Sequence, residues 1–269
     1  MSPCFMSDPG TILIFLMLVI GALLTVSFVN QQQMRSRVIN QKVAQLKRRV
    51  GELDEMASSL ESLVESLAIP KTILDEMLEV LNTIDKLEPN NPFCESTRIS
   101  TEQRIEDLMD ATQSHATYRA QPSDAAIART KYLLNEAAMI IRKRQVAGKL
   151  EIVEMEAFIN ELAWASLMVV VITHVVEGHK AVNRGDVLKA YAFYRKAQQV
   201  LIKGSINEER RHRMIKELSE IMGNKRKTLS KDLMPETQHN PSADSADLIR
   251  PEDAEAAAKL IQEHSQPNP

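Results

Sequence analysis

Four glutamates, Glu151, Glu154, Glu156 and Glu161, stand close together in this 269-residue chain, and His174 and His179 follow them. Carboxylates and imidazoles at helical spacing are the raw material of a carboxylate-bridged di-metal site. Such a site needs a Glu-x-x-His pair, and none falls within this stretch of glutamates. A zinc helix sets two histidines at i, i+4, whereas His174 and His179 are five apart and fall on different faces. No G-x-S-x-G elbow, Walker loop, G-x-G-x-x-G turn or Cys-x-x-Cys pair occurs. Cys94 sits between Phe93 and Glu95 in a Pro/Asn-rich stretch, with no adjacent cation to stabilise a thiolate. It reads as an incidental thiol. The residues therefore give no support to catalysis: the chain is expected not to be an enzyme and to use no metal or cofactor.

Basic clusters are the other chemical feature: Lys47-Arg48-Arg49, Arg142-Lys143-Arg144, Arg210-Arg211-His212-Arg213 and Lys225-Arg226-Lys227. The last two flank one expected helix and could form a phosphate-binding stripe. That possibility is the basis of an alternative reading, a membrane-linked nucleic-acid-binding or chromosome-organising protein. Against it, the formal charge is −3 and aromatic residues make up 4% of the chain, so neither global attraction nor interleaved stacking residues favour a nucleic acid.

The elements that carry these residues begin with Thr11 to Val29, TILIFLMLVIGALLTVSFV, nineteen residues without a charge. At about 1.5 Å per residue this run matches a hydrocarbon core of roughly 30 Å, and no small-x-small cleavage site follows it. Residues 1–10 contain Asp8 and no Lys or Arg, while Arg35, Arg37, Lys42, Lys47, Arg48 and Arg49 come after the run. That bias predicts an uncleaved single-pass anchor over 11–29, with residues 1–10 outside and everything later in the cytoplasm; a bacterial inner membrane is the expected location. Cys4 and Cys94 then fall on opposite sides and cannot pair within one chain.

Residues 30–69 carry a heptad stripe. Val43, Val50, Ala57 and Val64 occupy a, and Ile39, Leu46, Leu53, Leu60 and Leu67 occupy d. β-Branched a positions with Leu at d favour a parallel two-stranded coil, so the spacing predicts a stalk that makes the protein a homodimer, its seam formed by Val43, Leu46, Val50, Leu53, Leu60, Val64 and Leu67. The other reading of the same stripe is packing against the chain's own later helices.

Residues 70–223 are expected to form an all-α interaction domain, because glycines punctuate long periodic segments and period-two β-branched clusters are absent. Pro70 marks a helix start or kink. Glu88 to Ser96 reads as a loop, and Ser100 with Gln103 as a capping box opening a helix to about Arg119. Pro122-Ser123-Asp124 opens the next, closed by Gly148. Leu150 to Asn183 reads as one long helix with an apolar middle, Leu162 to Val176, which suits a central core helix. A second membrane span is the rival, but fifteen residues reach only about 22 Å. Helices from Val187 to Lys203 and from an Asn207 cap to Met222 follow. Residues 224–250 read as a disordered linker, and 251–269 as a short helical motif whose Leu260 and Ile261 would bind a partner.

Within this domain Gly178, Gly185, Asp186, Ala190, Tyr194 and Ala197 stand at the spacing of a tetratricopeptide hairpin, which this segment resembles over about 30 residues. His174 and Glu177 replace that family's usual aromatic and Leu, Ile202 replaces its closing Pro, and no second copy lies 34 residues away. The resemblance implies two antiparallel helices in close approach and a scaffold that binds proteins. Together these features predict a membrane-anchored cytoplasmic adaptor that localises protein partners.

Overall fold

The computed structural model describes residues 9–110, 115–204 and 209–235, with positions 9–15, 22, 24–26, 28 and 29 by backbone alone. The terminal motif with Leu260 and Ile261, the linker beyond residue 235, the Asn207 cap and residues 1–8 of the N-terminal tail lie outside the described residues. The described part is all-helical, with no strand: α1 (Pro9–Leu63), α2 (Ala68–Leu87), α3 (Pro92–Met109), α4 (Asp124–Val146), α5 (Ile152–Asn183), α6 (Val187–Lys203) and α7 (Glu209–Met222). By contacts the chain divides into two compact units, Met1–Glu52 with Leu78–Ile99, and Leu53–Met77 with Ser100–Pro269.

In the first unit Val43 and Val50 of α1, Leu81 and Ile84 of α2 and Cys94 of α3 are buried. Lys47 lies over the Phe93 ring, 5.3 Å from its centroid, so one of the basic-cluster residues is spent on an aromatic face. Of the segment 88–96, which its Pro and Asn content predicts as a loop, residues 88–91 are non-helical and the rest is helix. Asn90 turns the chain at φ 62°, the Asn91 side-chain oxygen accepts from Phe93 N–H at 3.0 Å, and the helix begins at Pro92. Proline at the first helical position has no N–H to leave unsatisfied and a φ already set for the helix, which is why this start precedes the one expected at Ser100.

In the second unit α5 is the core helix. Trp164, Met168, Ile172 and Val175 from α5, Tyr194 and Leu201 from α6, and Met214 and Leu218 from α7 share one buried cluster. Among the described residues α5 is long and apolar enough to cross a membrane, yet most of its apolar stretch is packed inside the protein. Ser123 caps α4 by accepting from Ala126 N–H at 3.2 Å, and Gly148 at φ 70° closes it. A left-handed residue lets Lys149 N–H return to Arg144 C=O at 3.0 Å, which satisfies a carbonyl the helix leaves open.

Two stretches pack differently from what their spacing and composition suggest. Leu53, Leu60 and Val64 are fully buried and Val43 and Val50 nearly so within a single chain, with Leu46 and Leu67 half-buried. These side chains are covered by the same chain, while Ile39 remains exposed. On an adjacent face of α1 the Arg104 guanidinium reaches Asp54 at 2.8 Å, Ser58 at 2.8 Å and Glu61 at 2.5 Å. The second stretch is 224–235, the described part of the expected linker. Leu229, Leu233 and Met234 enter the core, and Glu217 of α7 accepts from Ser230 N–H at 2.8 Å and Ser230 Oγ at 2.6 Å. Three apolar residues and one buried carboxylate outweigh a polar composition here.

Candidate functional site

The hairpin residues converge as a packing motif. Gly185 adopts φ 77° at the α5–α6 turn, and Asp186 caps α6 by accepting from Lys189 N–H at 3.1 Å. A Cβ on Gly178 would stand 2.8 Å from Tyr194 Cδ1 and 2.9 Å from Cζ, closer than real side-chain carbons come. Ala190 and Ala197 are buried on the same helix as Tyr194. The two histidines face this packing too: His179 Nδ1 and the Tyr194 hydroxyl are hydrogen-bonded at 2.8 Å, and the His174 ring stacks on Phe193 with centroids 6.3 Å apart. Burial, and then the positive charge of Lys196, hold the His174 pKa below its ordinary value, while burial pushes the Tyr194 phenol well above its own. Both are neutral near pH 7 and directed into protein, an arrangement for packing rather than proton transfer. Among the described residues no three His, Cys, Asp or Glu groups come together to hold a metal.

Two of the four glutamates are engaged in the fold. Glu154 reaches back to accept from Glu151 N–H at 3.3 Å at the start of α5. Glu161 accepts from the Glu65 and Ser66 N–H groups, both at 2.6 Å, at the break between α1 and α2. That break gathers further polar groups. Arg119 donates to Leu63 C=O at 2.9 Å and to Glu65 at 3.2 Å, Tyr118 N–H donates to Ser62 C=O at 2.6 Å, and Arg210 of α7 pairs with Glu65 at 2.7 Å while lying 5.0 Å over the Trp164 ring. Burial alone would raise the Glu65 carboxyl; the hydrogen bonds and charges of Arg210 and Arg119 outweigh it and bring the pKa below the usual carboxylate value. Leu63 to Ser66 thus form a polar junction that ties the end of α1 to α5, α7 and the segment before α4.

The same contacts absorb much of the C-terminal basic clusters. Arg210 is held by Glu65, Arg211 by the Leu201 and Gly204 carbonyls, Arg213 by Asp232, and Arg226 by Glu217 at 3.2 Å. These guanidinium groups are thus paired with groups of the same chain, Arg213 at the surface. Cys94 is equally closed, its thiol pushed up by burial and by the charge of Asp85.

What the second unit leaves open is a face of α4. Tyr132, Met139 and Val146 are 67%, 61% and 83% exposed and recur every seven residues, so they line one side of the helix, and Ile152 and Val153 are exposed just beyond the turn into α5. Lys131 and Arg142 lie along one side of this row, exposed and without an ion pair among the described residues, and Glu136 lies along the other. The signal was present in the sequence as an i, i+7, i+14 spacing, but Ile140, Ile141 and Leu134 on the opposite side gave the helix a core face of their own and hid it. An exposed apolar row with charged residues beside it is the kind of surface that can dock a partner. Comparison with known proteins finds no matching family model, no matching curated protein and no matching solved structure.

Proposed function

We propose that the chain is a single-pass membrane adaptor: the Thr11–Val29 run within α1 anchors it, and a cytoplasmic all-helical body presents docking surfaces to protein partners. The observation that carries the anchor is the exposure of Leu16, Met17, Leu18, Val19 and Ile20, five successive apolar side chains on α1. At 100° per residue five positions encircle the helix, and a helix apolar on every side needs lipid or a protein shell around it. The basic residues from Arg35 to Arg49 support the orientation, since each cation near an anionic leaflet gains on the order of 1 kcal/mol. The tetratricopeptide-like hairpin, which resembles a protein-binding element, and the open α4 face support the adaptor role. Tethering at a membrane raises the effective concentration of anything the α4 face holds.

The test combines location with contact. The full chain should stay with membranes through alkaline carbonate washing, and Leu18→Arg with Ile20→Arg should release it, because each charge costs about 2.5–3.5 kcal/mol at mid-bilayer. A photoreactive residue at Met139 in those membranes should give an adduct of defined mass that the same residue at Glu102 does not. A chain that washes off, or equal labelling at both positions, contradicts the proposal.

A further inference from the structure

We infer that the exposed face of α6 binds the acidic face of α3 on a second copy of this chain, with the two helices antiparallel. The contact rests on charge and register in the second unit and depends neither on the anchor nor on the α4 face.

From Val187 to Lys203, α6 contains no Asp or Glu. Lys189, Lys196 and Lys203 recur every seven residues and are exposed, as is Arg195 beside Lys196. None of the four has an ion pair among the described residues, whereas Arg210, Arg213 and Arg226 are paired within the chain. In a chain with 36 acidic against 33 basic residues, a helix bearing cations alone is a surface for an anion.

An anion of matching spacing is present on α3. Glu102 and Glu106 are exposed without an ion pair among the described residues, and Met109 is 66% exposed. At about 100° per residue these three fall within an arc of about 60°, so they form one row. Antiparallel pairing with Glu102 level with Arg195 sets Met109 level with Leu188, since each lies seven residues from its charged neighbour, and Leu188 is itself exposed. Glu102 then lies between Arg195 and Lys196. Glu106 comes within about 3 Å of the level of Lys189, on the flank away from Met109 and Leu188. The parallel direction exchanges the flanks and sets Met109 against Lys203, so charge selects the antiparallel one. Two copies of the α6 face would bring cation onto cation. Both faces are exposed within one chain, which makes the contact one between copies. One helix face on another covers less than the roughly 800 Å² per partner of a stable interface, so the association is weak, reversible and sensitive to salt.

Sedimentation of the full chain in detergent micelles tests this. Wild type should self-associate at low salt and dissociate at high salt. Lys189→Gln with Lys196→Gln, and separately Glu102→Gln with Glu106→Gln, should each weaken self-association by about tenfold or more. Mixed, the two variants should associate more tightly than either does alone, because each supplies the face that the other lacks. With Cys4→Ser throughout and Cys94 buried, chains carrying Met109→Cys should be linked by a short bismaleimide to chains carrying Leu188→Cys faster than either kind is linked to itself. A wild type that stays monomeric at every concentration, self-association that the Gln variants keep, or cross-linking no faster in the mixture overturns the inference. So does loss, in the Lys variant, of binding to a short DNA duplex or to phosphatidylserine vesicles with self-association unchanged, which would assign the α6 face to phosphate. The photo-adduct at Met139 is independent of this contact, and a photoreactive residue at position 102 removes its central carboxylate.

Discussion

The Tyr194 ring fills the space that a side chain on Gly178 would need, and its hydroxyl reaches His179 one residue further along α5. Backbone of α5 and ring of α6 are therefore in direct contact, and the crossing tolerates no added methyl without displacement of a buried aromatic. Gly178→Ala should destabilise the protein by about 1–3 kcal/mol despite the higher helix propensity of alanine. Thermal melting of the full chain checks this. An unchanged or raised Tm would mean that Tyr194 has room to move.

Glu161 is the acceptor for two backbone N–H groups at the α1–α2 break, each at 2.6 Å. Glu161→Ala should cost about 1–3 kcal/mol, the range for leaving donors without a charge-assisted acceptor. Glu161→Gln should recover part of it through the remaining amide oxygen. Urea denaturation distinguishes the two variants, and equal stability of wild type and alanine variant would show that water serves these donors as well.

Burial lowers the His174 pKa, with Lys196 adding to the shift and Asp124 and Glu177 opposing it. The folded state therefore disfavours the imidazolium. Its stability contribution is complete above the ordinary histidine value near 6.5, falls as pH drops from there toward the folded pKa, and is lost below it. Glu65 works in a separate, more acidic window: its contribution is present above the ordinary value of 4.5 and is lost as pH falls through the lowered folded pKa. Melting temperature followed from pH 7.5 to 5.5 should decline in wild type and decline less in His174→Gln. Parallel profiles would remove His174 as the source.

The all-helical character was legible because its signals are local: Ser123 before Asp124, Gly148 after α4, and Gly185-Asp186 between α5 and α6 each constrain the backbone where they stand. The apolar middle of α5 was legible for the same reason. What the sequence did not disclose depends on partners distant along the chain. Leu53 and Leu60 have ideal coiled-coil spacing, and spacing alone does not say whether the covering helix belongs to the same molecule. Glu161 looks like one of four surface glutamates until the α1–α2 break is brought against it, ninety-six residues away in sequence from Glu65. Leu229, Leu233 and Met234 are too few to raise the apolar content of their segment, yet each finds a place in the core. The open α4 face is the converse case, because exposure is a property of what fails to cover a helix.

The central claim is the anchor with its cytoplasmic body, and side-specific thiol labelling tests it most directly. Cys94 is buried, so its protection would carry no information; an exposed reporter, Gln103→Cys, serves instead. With an impermeant maleimide added to intact spheroplasts, the account predicts labelling of Cys4 and none of the residue 103 cysteine, with the cysteine at 103 becoming reactive in inverted vesicles. Labelling at position 103 in intact spheroplasts, with Cys4 protected, would contradict it.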